Sequence, residues 1–301
     1  MHHIIHKRRR LAAATLALAS MLAAVAAPAG AADASLANAR RIVAIGGSIT
    51  EIVYALGEEG RLVARDSTST FPQAASALPD VGYMRSLSPE GVLSVDPDGI
   101  LALEGSGPPE AVAVLKSGSI AFAEIPERFT RAGIVDKVVK VGEALGVSEK
   151  AQALAAAIGD KLAAAEAKAA KSEPRKVMFV LSMQGGKILA AGRDTAAGGI
   201  VALAGGVNVF SGFSGYKQVS DEAVITAAPD VILMMDRGGD HGAANAELLA
   251  HPAIATTPAA AHGAVVRMDG LYLLGFGPRT AEAVADLADA LHPDQQTSAD
   301  Q

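Results

Sequence analysis

Two segments of this 301-residue chain repeat one another without gaps at an offset of 132 residues. The first runs from Leu87 to Leu101 and the second from Val219 to Leu233. In each, a serine precedes a glutamate and a valine, and a Pro-Asp pair then leads into an apolar run. A serine, an early glutamate and a following Pro-Asp are typical of a capped helix that leads into a buried strand. A chain that carries this unit twice is predicted to form two similar lobes.

A long run of helix-forming residues lies between the two copies. Residues 149–171 are nearly all Ala, Glu, Lys, Leu and Gln, which have high helix propensity. About 24 residues would form a rod of roughly 36 Å. An ordinary surface helix is the alternative, but a position between two sheet-forming regions favours a helix that joins two lobes.

Short apolar runs alternate with helical patterns on both sides of this rod. They lie at 41–45, 62–64, 99–103 and 120–123 in the first half, and at 176–181, 188–191, 231–235 and 264–266 in the second. Such alternation is typical of parallel sheets covered by helices. The predicted fold class is therefore α/β, with two Rossmann-like lobes, central mostly parallel sheets and a single long α-helix between them.

The predicted boundaries begin with a signal peptide at residues 1–32. Lys7 to Arg10 are basic, the next 17 residues are apolar and uncharged, and Ala29 to Ala31 fit a cleavage site near residues 31–32. An uncleaved anchor is the alternative, although the apolar run is short for a bilayer core of about 30 Å. Both the general secretory route and the twin-arginine route remain open. The remaining boundaries are an N-terminal lobe at 33–147, a bridging helix at 148–173, a C-terminal lobe at 174–293 and a disordered tail at 294–301.

Composition limits the location and the partners. The chain has 26 Lys and Arg against 32 Asp and Glu. Because four basic residues lie in the leader, which has no acid, its removal changes the formal charge from −6 to −10. An acidic exported protein is a poor match for nucleic acid. The absence of cysteine excludes disulfides, a thiolate nucleophile and a lipid-anchored cysteine. We expect a monomeric periplasmic protein.

Tyr83 is the first candidate for ligand binding, since it precedes the first capped helix in a glycine-flanked turn. A phenolate is a hard anionic ligand that suits ferric iron, and Arg85 would favour the charged form. A packed aromatic is the more common role for a lone loop tyrosine.

Arg237, which ends a strand, could clamp a carboxylate or could be a solvated loop residue. The roles of Met183 and Tyr216 stay open, although Tyr216 occupies nearly the position of Tyr83 in the second lobe.

Enzymatic motifs are missing from the sequence. There is no nucleophile elbow, phosphate-binding loop or dinucleotide fingerprint. The four histidines after the leader have no zinc-site spacing. We therefore expect no enzymatic activity.

Glu90 and Glu222 occupy equivalent positions in the first turns of the two duplicated helices. Support for the helix dipole, worth about 0.3–1 kcal/mol, is one interpretation. The other is that the two carboxylates form a two-pronged contact with one partner protein.

These segments resemble the periplasmic haem-binding proteins of ABC-type haem importers, within the helical-backbone (class III) substrate-binding proteins. The resemblance covers residues 41–293 and is most specific at Gly46–Glu51, Gly82–Ser88, Asp236–Gly238 and Leu274–Arg279. It implies two α/β lobes that hold haem as a transported ligand in the cleft between them.

The resemblance also implies roles for individual residues. Tyr83 would be the axial ligand of the haem iron, Arg85 would support its phenolate, and Arg237 would reach the haem from the second lobe. Glu90 and Glu222 would dock onto arginines of the permease dimer in the inner membrane. Some members carry a histidine at the end of the strand that here contains Met183, and its absence predicts one haem, five-coordinate. Alternatives are a ferric siderophore or corrinoid carrier and, more remotely, an exported α/β enzyme.

Overall fold

The computed structural model describes residues 35–236 and 244–292. All of the described residues belong to one compact unit. The predicted signal peptide, Arg237 and the predicted tail lie outside the described residues. Within the described ranges, no helix is both long and apolar enough to cross a membrane.

The first lobe is a four-stranded parallel sheet with helices packed on it. Its elements are β1 (Ile42–Ile45), α1 (Gly47–Ala55), β2 (Leu62–Arg65), α2 (Pro89–Leu93), β3 (Gly99–Leu103), α3 (Pro109–Ser117), β4 (Ala121–Ile125) and α4 (Arg131–Leu145). The strand order is β2-β1-β3-β4. All four strands were predicted because each is a short apolar run bounded by turn residues.

The second lobe follows the long helix α5 (Ser148–Ala169). Its elements are β5 (Lys176–Gln184), β6 (Lys187–Ala191), α6 (Ala196–Leu203), β7 (Val207–Asn208), β8 (Tyr216–Val219), α7 (Asp221–Ala227), β9 (Val231–Asp236), α8 (Asn245–Ala250), α9 (Pro252–Ala255), α10 (Pro258–Ala261), β10 (Val265–Asp269), α11 (Gly270–Leu274) and α12 (Thr280–Leu291). The order is β10-β9-β5-β6-β8, with β7 beside β5.

The second sheet is mixed rather than uniformly parallel. Strands β10, β9 and β5 are parallel, whereas β6 is antiparallel to both β5 and β8. The turn between β5 and β6 is Gly185-Gly186, and both glycines have positive φ. A two-residue turn of this kind matches the twist of an antiparallel hairpin, which explains why the chain reverses here.

Helix α5 connects the lobes, as predicted, and packs against α4 on one side and α12 on the other. The α4–α5 crossing is close because it occurs at Gly142: a Cβ there would lie 2.0 Å from the Ala151 Cβ. One continuous apolar cluster includes side chains from both sheets and from all three helices. The two lobes therefore share a core.

The duplicated helices are alike in atomic detail. The Ser88 hydroxyl accepts a hydrogen bond from the backbone N–H of Gly91, and the Ser220 hydroxyl accepts one from Ala223. Beyond each helix one non-glycine residue adopts a left-handed conformation, Asp96 with φ +50° and Ala228 with φ +43°. The predicted repeat is confirmed in its caps and in the turn that follows each helix.

The Pro-Asp pairs also have one function in both lobes. The Asp98 carboxylate accepts hydrogen bonds from the backbone N–H groups of Arg40 and Arg41, at the start of β1. The Asp230 carboxylate accepts one from Lys176, at the start of β5. Each aspartate thus fixes the strand after the duplicated helix to the first strand of its lobe.

Candidate functional site

The Tyr83 loop, residues 80–88, lies beside the carboxyl end of β2. The Val81 N–H donates to the Arg65 carbonyl at 3.0 Å, and the Ser67 N–H donates to the Gly82 carbonyl at 2.9 Å. Gly82 has φ +99°, a conformation that favours glycine. In open α/β sheets ligands bind outside the carboxyl ends of the strands, so the loop is at the edge where a ligand is expected.

The same loop is anchored to the segment that follows β3. The Gly107 N–H donates to the Met84 carbonyl at 2.9 Å, and the Leu87 N–H donates to the Gly107 carbonyl at 2.8 Å. Met84 is buried, whereas the neighbouring Tyr83 ring is 49% exposed. Backbone hydrogen bonds therefore hold the loop while leaving the phenol accessible.

A buried carboxylate organises the loops next to it. Asp66, fully buried after β2, accepts hydrogen bonds from the Gly46 N–H (2.9 Å), the Thr68 N–H (3.0 Å) and hydroxyl (2.7 Å), and the Ser69 hydroxyl (2.8 Å). A buried charge is stable only when its acceptor sites are occupied in this way. Asp66 thus fixes the loops after β1 and β2 relative to each other.

Tyr216 is the half-buried first residue of β8 in the second lobe, and its ring packs edge-on against Phe179. Burial raises the pKa of Tyr216, while a hydrogen bond from the Ala197 N–H and the charge of Arg85 act to lower it. The Tyr83 phenol has a weaker effect in the opposite direction. Tyr83 and Arg85 of the first lobe therefore act electrostatically on Tyr216 of the second.

An ion pair joins the lobes close to this edge. The Arg279 guanidinium binds the Glu51 carboxylate through two hydrogen bonds of 2.7 and 3.0 Å. Arg279 precedes α12 of the second lobe, and Glu51 is a buried residue of α1 in the first. The guanidinium also lies 3.7 Å from the ring centroid of Phe71, a first-lobe side chain that is partly exposed. This bidentate pair is a direct polar link between the lobes.

A buried lysine forms a second link. The Lys137 Nζ of α4 has no exposed surface and lies 2.7 and 2.9 Å from the two carboxylate oxygens of Glu127. It also donates to the Phe276 carbonyl of the second lobe at 3.0 Å and to the Ser48 hydroxyl at 3.3 Å. Lys137 therefore ties α4, α1 and the segment before α12 together.

Burial governs the titration of these groups. It raises the pKa values of Glu51 and Glu127, and the neighbouring Arg279 and Lys137 oppose that rise. Burial also lowers the pKa of Lys137, against the attraction of Glu127. The short distances and multiple hydrogen bonds are those of ion pairs, which is the state that compensates buried charge.

A groove of about 950 Å³ lies elsewhere, between α4, α5 and α6. It contains none of the predicted ligand residues. In the described parts of the chain no group of three or more His, Asp and Glu could hold a metal ion.

Comparison with known proteins identifies the family. The family model described as "periplasmic binding protein" matches residues 42–271. The chain belongs to the periplasmic binding protein family.

The relatives of this periplasmic binding protein are named as binding and transport proteins. The solved haem-binding protein BhuT, in complex with two haems, is 39% identical, with a TM-score of 0.78 over 83% of this chain and 98% of its own. Three further solved haem-binding proteins are 32–36% identical. An ABC transporter substrate-binding lipoprotein of Bacillus subtilis is 27% identical over 85% of this chain and 81% of its own. A cobalamin-binding protein of Halobacterium salinarum is 26% identical over 84% and 69%.

The remaining predicted residues of this periplasmic binding protein lie on elements other than the Tyr83 loop and β8. Glu90 and Glu222 are exposed in the first turns of α2 and α7, as expected from their positions in the repeat. Met183 lies near the end of β5 and packs against the smaller apolar cluster of the second lobe. Ser48 is the second residue of α1, which begins at Gly47 and has Gly46 as its N-cap.

Sequence reasoning assigned no role to Glu51, Arg279 or Lys137. Glu51 and Arg279 stood at the ends of two glycine-rich motifs that were singled out, and their opposite charges were the available signal. Lys137 lies three residues after the buried Ile134, on the apolar face of α4. A lone lysine on such a face indicates a buried ion partner.

Proposed function

We propose that this periplasmic binding protein captures haem between its lobes and delivers it to an ABC permease. The observation that carries the proposal is the Tyr83 phenol, which is exposed on a loop that backbone hydrogen bonds anchor at the carboxyl end of β2. Tyrosine is an established axial ligand of ferric haem. The haem-binding relatives at 32–39% identity support the same cargo.

The neighbouring residues complete the proposed site. Arg85 is exposed and forms no hydrogen bond or ion pair with any residue that the structure describes, so it is available to support a phenolate or a haem carboxylate. Arg237 follows β9, and we assign it a contact with the haem from the second lobe. The protein binds and transfers its ligand without transforming it.

The first prediction concerns hemin binding by the wild-type protein. Hemin titrated into the purified chain should bind and give a ferric spectrum typical of tyrosinate ligation. We expect a stoichiometry of one. Some members of the resembled family carry a further histidine at the end of the strand that here contains Met183, and this chain has no histidine there. Absorption titration measures both quantities. A break at two hemins would contradict the single site, and no binding would contradict the cargo.

Cobalamin is the second candidate cargo, favoured by the cobalamin-binding relative at 26% identity. The same titration with cobalamin, and with a ferric siderophore, separates the alternatives. Because an exposed phenol beside a free guanidinium suits ferric iron and anionic carboxylates, we expect hemin to bind more tightly than either.

Export and docking complete the proposal. We place the mature chain in the periplasm after removal of residues 1–32. There Glu90 and Glu222 are proposed to contact arginines on the two halves of a permease dimer. The support is that both side chains are exposed at equivalent positions of the repeat.

Charge reversal tests this docking role. The double variant Glu90→Lys and Glu222→Lys should bind hemin normally, because both residues lie on the duplicated helices α2 and α7 and neither belongs to the Tyr83 loop. Haem transport into vesicles that contain the permease should fall by at least about tenfold, since reversal places like charges together. Glu110→Lys is the matched control, because Glu110 is also exposed in a first helical turn but lies outside the repeat. Transport at the wild-type rate in the double variant would leave the two glutamates with only their helix-dipole role.

A further inference from the structure

We infer that the docking face contains an apolar contact in each lobe, made by Leu93 and Ile225, beside Glu90 and Glu222. This inference rests on the proposed function, because it adds to the permease-docking surface. It defines that surface as two equivalent patches, each with one carboxylate and one aliphatic side chain.

The starting observation is a set of exposed apolar side chains. In the described residues, the large exposed ones are Phe71, Tyr83, Leu93, Val114, Val207 and Ile225. Single exposed aliphatic residues are ordinary on protein surfaces. Leu93 and Ile225 differ from the others because they occupy the same position of the repeat, at its offset of 132 residues. Their exposed fractions are similar, 40% and 49%.

The packing of the two helices shows that this exposure is not a consequence of a poorly covered core. Val92 and Val224, the residues immediately before, have no exposed surface and supply the core contact of each helix. Leu93 and Ile225 then point away from it. Both lobes therefore have one aliphatic residue facing inward and one facing outward, although a polar residue would satisfy the outward position.

The exposed aliphatic residues share a helical face with the glutamates. Leu93 follows Glu90 by three residues, and Ile225 follows Glu222 by three. Residues at this spacing are neighbours on a helix surface. A partner that reaches either glutamate would therefore also cover the aliphatic side chain next to it.

The weakness of exposed ion pairs explains why an apolar contact beside each glutamate is needed. Exposed ion pairs are screened by salt and contribute little on their own. Apolar side chains that exclude water around a charge pair strengthen the contact and add their own burial. Two exposed glutamates without apolar neighbours would form a weak and strongly salt-dependent docking surface.

The occupant that fits is a two-fold symmetric membrane permease with an arginine beside an apolar recess on each half. Two equivalent patches on two lobes require two equivalent recesses, which a symmetric dimer supplies. The acidic charge of the patches requires cations in the partner.

The test compares variants in binding to the purified, detergent-solubilised permease. Leu93→Gln and Ile225→Gln should each weaken binding by roughly tenfold, and the double variant by the product of the two effects. The loss should persist at 0.5 M salt, where the Debye length is about 4 Å and exposed charges are strongly screened. The loss of binding caused by Glu90→Gln and Glu222→Gln should be smaller at this salt concentration than at low salt. Hemin affinity should be unchanged. Val207→Gln, which removes an exposed aliphatic residue outside the repeat, should bind the permease like the wild type.

The outcomes separate this inference from the function on which it rests. Weak binding by the glutamine variants of Leu93 and Ile225 at both salt concentrations supports the inference. If the glutamate variants lose binding while the Leu93 and Ile225 variants behave like Val207→Gln, the inference alone is overturned. If neither set affects permease binding, the docking part of the proposed function is overturned with it. A failure to bind hemin would instead overturn the assignment of haem as the cargo. The comparison of permease binding among the variants would still test the docking surface.

Discussion

Replacement of Tyr83 by phenylalanine is expected to remove the tyrosinate features from the hemin spectrum and to weaken hemin binding severely. Loss of a residue that merely supports a metal ligand typically costs about 10–100-fold in affinity, and loss of the ligand itself should exceed that range. The loop should keep its conformation, because its anchors are backbone hydrogen bonds from Gly107 and Val81 and not the phenol. Hemin titration followed by absorption, with dissociation constants for both proteins, measures the effect.

Tyr54→Phe is the matched control for this prediction. Tyr54 lies near the end of α1. The opposite end of that helix, its start, adjoins the loops that Asp66 fixes, so Tyr54 is not part of those loops. Its loss should leave the spectrum and the affinity unchanged. Tyr216→Phe should alter affinity without removing the tyrosinate features. If Tyr83→Phe retains the wild-type spectrum while Tyr216→Phe loses it, the ligand comes from the second lobe and the assignment is wrong.

Arg279→Met is expected to lower the free energy of unfolding by about 3–5 kcal/mol, because it leaves the buried Glu51 carboxylate without its partner. The substitution also removes the guanidinium that stacks on Phe71. Urea unfolding at pH 7 gives the difference directly. Lys161→Met is the control, since the Lys161–Glu282 pair also joins two helices but is exposed. That loss should be below about 1 kcal/mol.

The pH dependence of the Arg279→Met deficit identifies its cause. Burial raises the pKa of Glu51 above its ordinary value of 4.5, and Arg279 opposes the rise, so the variant should raise it further. A carboxyl whose pKa is higher in the folded state stabilises the fold below its unfolded pKa. That contribution disappears as the pH rises through the folded pKa. The deficit should therefore shrink from pH 8 towards pH 5. A deficit that is constant across this range would show that packing, and not the uncompensated charge, causes the loss.

Local signals were sufficient for most of the fold. The caps at Ser88 and Ser220 and the Pro-Asp pairs depend on residues only a few positions apart, and the structure shows both copies in the same conformation. Strand β6 lies on the predicted apolar run at 188–191, but its antiparallel direction and the strand β8 were not evident, because pairing at that edge depends on tertiary contacts. The two glycines between β5 and β6 were the local signal that could have indicated the hairpin.

The candidate site could likewise be predicted only in part from the sequence. The sequence placed Tyr83 in a turn before a capped helix, but a turn alone does not separate an exposed phenol from a packed one. Glu51 and Arg279 are 228 residues apart, and no periodic pattern relates them. Contacts across the lobes follow from how the two sheets are arranged, which local propensities do not encode.

The links between the lobes have a consequence for the folding of this chain. Glu51 and Lys137 belong to the first half of the sequence, yet their partners Arg279 and Phe276 are near its end. In a chain that lacks residues 276–292, the first lobe would hold two buried charged side chains that lack part of their compensation. Stable packing of that lobe therefore depends on the segment that precedes the last helix. A chain truncated before residue 276 should consequently be less stable than the first lobe's own apolar core would suggest.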